Sequence, residues 1–145
     1  MKRIKVIYWS GTGNTEKMAE AVAEGAGREG AEVALVPVSE AAKADLMIAD
    51  GVALGCPAMG DEALEETEME PFVSSFAKDD LKGKPLALFG SYDWGDGQWM
   101  REWSERFKAG NGKLVNEGLI VRNAPDEAAL SKCRELGAKL AAALQ

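Results

Sequence analysis

A chain of 145 residues with 46% hydrophobic and 28% charged side chains is long enough for one core and too apolar to stay disordered. Its net charge of −7 argues against nucleic-acid binding and leaves two readings, solubility or steering toward basic partners. It contains no histidine, which removes Ser-His, Cys-His and His-metal chemistry, so any redox activity requires a bound cofactor.

The first apolar run, Ile4 to Trp9, predicts a buried strand; it is too short for a signal-peptide core or a membrane span. A cytoplasmic location follows as the expectation, with residues 1–145 forming one domain. Glu16 to about Gly30 is helical, with Met18, Val22 and Ala26 on one face. Glu32 to Val38 is a second strand. Ser39 to Ala49 is ambiguous and allows a short helix. Gly51 to Gly55 is the third strand. Glu70 to Lys78 reads as a helix with Phe72, Val73 and Phe76 inward and Pro71 tolerated in its first turn. Pro85 to Gly90 is the fourth strand. Gln98 to Ala109 is helical through Met100, Trp103 and Phe107. Leu114 to Val121 is a fifth strand, broken by Asn116, Glu117 and Gly118, hence split or at an edge. Asp126 to Leu144 is the last helix, led in by Asp126. The two cysteines, Cys56 and Cys133, have no metal-site spacing and read as reduced, buried thiols.

Strands alternating with helices imply an α/β chain with a doubly wound, five-stranded parallel sheet and helices on both faces. Such sheets bind ligands beyond the carboxyl ends of their strands, where the strand order reverses. That rule singles out the loops following strands one, three and four.

The first loop is Ser10-Gly11-Thr12-Gly13-Asn14-Thr15. Its two glycines allow backbone angles that turn N–H groups toward one anion, and the following helix adds its positive end. It lacks the Gly-Lys-Ser/Thr ending of a Walker loop and the order of a dinucleotide fingerprint. A polar loop that only caps a helix is the plainer reading. The whole segment Tyr8-Trp9-Ser10-Gly11-Thr12-Gly13-Asn14-Thr15-Glu16 resembles the signature of the flavodoxin family, in its short-chain form from anaerobic bacteria. The resemblance extends along essentially the whole chain and implies strand order 2-1-3-4-5. It also implies that Trp9, Ser10, Gly11, Thr12, Gly13, Asn14 and Thr15 wrap the phosphate of FMN without a neutralising cation.

The second loop, Cys56-Pro57-Ala58-Met59-Gly60-Asp61-Glu62, resembles the family's segment beside the flavin's reactive edge. By resemblance, Pro57, Ala58, Met59 and Asp61 border the ring, and the Gly60 carbonyl accepts from the protonated N(5) of the one-electron-reduced flavin. Glu62 is then the partner of the far pyrimidine N–H. Met59 alone would read as core packing. The third loop carries Ser91, Tyr92, Asp93, Trp94 and Gly95. A large aromatic between turn residues suits stacking on a planar ring, and the resemblance puts Trp94 on the outer flavin face. Asp93 stands where the family usually has glycine. Trp99 reads as protein packing.

The resemblance implies a low-potential, one-electron carrier with non-covalent FMN, cycling between semiquinone and hydroquinone. Redox enzymes are the implied donors and acceptors, docked through an acidic surface that includes the stretch Asp61 to Glu70; a monomer is expected. Asp61, Glu62, Asp93 and Asp96, with Glu65 and Glu66, are expected to disfavour added negative charge on the flavin. The alternative is an FMN-dependent NAD(P)H-quinone reductase on the same fold. A response-regulator switch lacks its acidic cluster and acceptor aspartate here, and a low-molecular-weight phosphatase lacks its cysteine in the first loop.

Overall fold

Apolar runs too short for helices, separated by amphipathic stretches, settle in the computed structural model as parallel strands linked by helices. The structure describes residues 2–59, 63–76, 80–81, 83–109 and 113–144. The strands are β1 (Arg3–Tyr8), β2 (Glu32–Pro37), β3 (Gly51–Gly55), β4 (Pro85–Tyr92), β5 (Lys113–Leu114) and β6 (Leu119–Arg122). The helices are α1 (Asn14–Arg28), α2 (Lys43–Ile48), α3 (Met69–Ser74), α4 (Gln98–Ala109) and α5 (Glu127–Ala142). The sheet order is β2-β1-β3-β4-β5, every pairing is parallel, and β6 also pairs with β4.

The fifth expected strand is therefore two pieces on one edge. Val115 still donates to Leu86, and the side-chain amide of Asn116 then takes over, accepting from the Leu88 N–H and donating to the Leu88 carbonyl. A side chain thus satisfies the backbone of a central strand across the gap between β5 and β6. The ambiguous segment after β2 resolves into a single 3₁₀ turn, Val38–Glu40, followed by α2.

Side-chain alternation divides the core. Ile7, Val52, Leu54, Leu86 and Leu88 face α2, α3 and α4, where Trp99 and Trp103 supply the largest buried side chains. Val6, Tyr8, Ala53, Ala87 and Phe89 face α1 and α5. Those two helices touch through their backbones: a Cβ on Gly25 would lie 1.9 Å from the Arg134 carbonyl oxygen, and one on Gly137 would lie 2.0 Å from that of Val22. Neither position accepts a side chain without separating the helices. Helix α5 starts at Asp126, whose carboxylate accepts from the Ala129 N–H at 2.8 Å. No helix among the described residues is long and apolar enough to cross a membrane.

Candidate functional site

The strand order reverses between β1 and β3, since β2 lies on one side of β1 while β3, β4 and β5 lie on the other. The chain segments leaving β1 and β3 and the end of β4 meet there around an open cleft.

The first wall is Trp9, Ser10, Gly11, Thr12, Asn14 and Thr15. Gly13 is the N-cap of α1, with φ of 97° and ψ of −10°, a left-handed conformation that favours glycine. Lacking a side chain, it leaves capping to Ser10, whose Oγ accepts from the N–H groups of Gly13 at 3.1 Å and Glu16 at 3.2 Å. The chain thus doubles back over the start of the helix and presents its positive end to the cleft. Gly11 works differently from the expectation. It does not adopt a positive φ; a Cβ there would lie 3.0 Å from Cη2 of Trp9, so the small residue makes room for the indole. The Thr15 side chain is fully buried, and its hydroxyl shares a 2.8 Å hydrogen bond with that of Ser91, tying the first loop to β4.

The second wall is Pro57, Ala58 and Met59. Ala58 donates to the Ser91 carbonyl, and Met59 and Ala63 exchange two backbone hydrogen bonds of 2.9 and 2.8 Å. Gly60, Asp61 and Glu62, all expected at the cofactor, lie outside the described residues. Cys56 anchors this segment: its N–H donates to Phe89, its carbonyl accepts from the Trp99 indole, and its Sγ accepts from the Glu65 N–H. Burial pushes its thiol up to about 12, which makes it structural rather than reactive.

The third wall is Ser91, Tyr92 and Asp93. Ser91 and Tyr92 belong to β4 itself, not to a loop, because they pair with Val121 and Arg122 of β6. The Tyr92 ring packs on Trp99 at 5.6 Å, so Trp99 is protein packing, as read from its position. Asp93 does not use the left-handed region; between β4 and α4 that role falls to Gly95 and Gly97. Trp94 and Gly95 do not line the cleft. Trp94 follows Asp93 directly and is left 57% exposed, with Met59 37% exposed on the other side.

The acidic stretch differs from a solvated face. Glu65 is buried, and its carboxylate accepts from the N–H groups of Thr67, Glu68 and Met69 and from the Thr67 hydroxyl. Burial alone would raise its pKa, but these donors outweigh that and hold it below the usual carboxylate range. Glu68 accepts from the Trp9 indole at 3.1 Å. Glu70 takes a two-pronged hydrogen bond from Arg106, which links α3 to α4 and holds the Glu70 carboxyl below its usual range. Asp96 is paired with Arg101 at 3.0 Å. Of the carboxylates expected to burden the site, Glu66, Asp93 and the ion-paired Asp96 are exposed among the described residues. The capping role of Glu65 was missed because sequence displays its charge and not its donors; its spacing of four residues before Met69 was the available signal.

Among the described residues, no lysine or arginine lines the cleft. A hydrogen-bonding loop on a helix N-terminus suits a phosphate bound without a cation, and a partly exposed methionine in the opposite wall suits contact with a planar ring; the residues present fit FMN. Fold and cleft together define a doubly wound α/β protein with a nucleotide-type site at its switch point.

The comparisons with known proteins make this specific. The flavodoxin family model matches residues 6–137. The chain is 49% identical over 138 residues to a flavodoxin of Clostridium beijerinckii, covering 95% of this chain and 99% of that one. It is 43% identical to the flavodoxin of Megasphaera elsdenii over 92% of this chain and 95% of that one. The solution structure of two-electron reduced Megasphaera elsdenii flavodoxin superposes with a TM-score of 0.87 at 40% identity, covering 96% of this chain and 98% of that one. The chain belongs to the flavodoxin family, whose members are FMN-binding electron carriers rather than enzymes. The quinone-reductase alternative is not favoured.

Proposed function

We propose that this chain carries single electrons at low potential between redox enzymes of the cytoplasm, holding one FMN in the cleft as a monomer. The observation that carries the reading is the cleft itself: a hydrogen-bonding loop with no lysine or arginine among the described lining residues, facing a wall that includes Met59 and one that includes Asp93, the residue before the exposed Trp94. When bound, FMN supplies the one-electron chemistry. The chain's part is to hold and bias it. Trp9, Ser10, Thr12, Asn14 and Thr15, with Gly11 and Gly13 shaping the backbone, receive the phosphate end. Pro57, Ala58 and Met59 would cover one face of the ring; Gly60, Asp61 and Glu62, outside the described residues, would contribute a carbonyl acceptor from Gly60 and carboxylates from Asp61 and Glu62 toward its edge. Ser91, Tyr92, Asp93, Trp94 and Gly95 cover the other face. A cleft with no lysine or arginine among its described lining residues and with Asp93 in its wall disfavours added negative charge, which lowers the potential of the more reduced couple.

Docking through acidic surface rests here on Glu66 and Asp93, since Glu65, Glu68 and Glu70 have partners inside the molecule. The two unpaired buried cysteines suit a reducing compartment. Trp94→Ala tests the ring-covering role: FMN affinity should fall about tenfold, in line with the ~1–1.5 kcal/mol of an aromatic stack. An unchanged affinity and unchanged potentials would remove Trp94 from the site.

A further inference from the structure

We infer that Glu68 is a positioning residue for FMN binding, clamping the Trp9 indole so that it forms a fixed wall of the cleft; this rests on the FMN reading above. Trp9 is the residue immediately beyond β1, and its backbone N–H donates to Gly55 at 3.0 Å, which seats it at the switch point. Its indole is then held from two sides. The benzo edge lies against Gly11, where a Cβ would sit 3.0 Å from Cη2 and 3.2 Å from Cζ3. The indole Nε1–H donates to Glu68 Oε1 at 3.1 Å, joining residues 59 positions apart in sequence.

Glu68 is itself set in place. Its N–H donates to the buried Glu65 carboxylate at 2.7 Å, and its carbonyl accepts from Phe72 as α3 begins. The route from the buried carboxylate to the cleft wall is therefore continuous: Glu65 fixes the backbone of Glu68, the Glu68 side chain fixes Trp9, and Trp9 lines the cleft beside the first loop. The clamp ties the segment after β3 to the segment after β1 at a second point, besides the Thr15–Ser91 hydroxyl pair that ties the first loop to β4. An indole that could rotate would leave the cleft without one wall and would have to be ordered again when ligand enters, which weakens binding. A carboxylate suits the task because a charge-assisted hydrogen bond is roughly twice as strong as a neutral one.

The test is a cycle of FMN affinities on the apoprotein with Trp9→Phe, Glu68→Ala, the double variant and Glu68→Gln. Glu68→Ala should weaken FMN binding about tenfold, and Trp9→Phe, which keeps a ring but loses the donor, about equally. The double variant should be no more than twofold weaker than either single one, because both remove one interaction. Glu68→Gln, which keeps an acceptor, should lie within about threefold of the parent. In apoprotein spectra the Trp9 indole proton should move upfield in Glu68→Ala and hold its place in Glu68→Gln. The inference is overturned if Glu68→Ala binds FMN within twofold of the parent, if the two losses multiply, or if Glu68→Gln loses as much as Glu68→Ala. Should Glu68→Ala not fold, Glu68→Leu, which keeps comparable bulk and has no acceptor, takes its place in the cycle with the same expected and overturning results. A parent chain that takes up no FMN overturns the FMN reading instead, and the indole resonance still reads the clamp.

Discussion

Glu65→Leu removes the buried carboxylate, and every oxygen that could replace it, while roughly keeping the side chain's bulk. The carboxylate takes three backbone N–H groups and one hydroxyl at the turn into α3. Thr67 is exposed, so water replaces its lost partner at small cost, whereas the Met69 N–H is buried and is left without one. An unpaired buried donor costs about 1–3 kcal/mol, and losing a helix-start acceptor about 0.5–2 kcal/mol. Together they give a loss of about 3 kcal/mol at neutral pH, or about 6–12 °C in Tm for a chain of this size. The pH dependence fixes the cause. Because the folded pKa is lowered, the carboxylate's contribution is fully present above the unfolded value of about 4.3 and is lost as pH falls through the folded value. Urea unfolding of parent and variant apoprotein at pH 7 and at pH 3 should therefore show a gap that narrows in acid. A loss below about 0.5 kcal/mol, or a gap that stays constant or widens, would refute the reasoning.

Gly11→Ala places a methyl 3.0 Å from the Trp9 indole, so the apoprotein should fold while FMN binds about tenfold more weakly by titration. Gly13→Ala forces a side chain into φ of 97°, where nothing lies within 4 Å; the cost is backbone strain of roughly 1–2 kcal/mol, read by urea unfolding. Burial raises the thiols of Cys56 and Cys133 to about 12 and about 11, so a thiol reagent at pH 8 should label neither in the native protein and both in urea.

The layout of the fold was legible because each strand is a short apolar run and each long helix carries its apolar face at helical spacing. Met18, Val22 and Ala26 on α1 and Met100, Trp103 and Phe107 on α4 are all buried as that spacing predicts. Pairing partners were not legible. Ser91 and Tyr92 carry no apolar signal, and they extend β4 only because β6 lies beside them. The split after Leu114 was visible in Asn116, Glu117 and Gly118, but the use of the Asn116 amide to bridge it was not. The three loops stood out because their residues are costly anywhere else: paired glycines before a helix, and a tryptophan between turn residues. Charge misled the reading of Glu65, Glu68 and Glu70, since a carboxylate looks alike in sequence whether water, an indole or a guanidinium satisfies it. Gly11 was read as a conformational residue when its role is steric, because the ring that needs the space stands two positions away.

The most direct test of the central claim is the visible absorption spectrum of the purified chain with one equivalent of FMN during stepwise anaerobic reduction. The account predicts stoichiometric flavin binding and reduction in two well-separated one-electron steps, the second at low potential. A chain that binds no FMN, or bound flavin reduced in a single two-electron step, would contradict it.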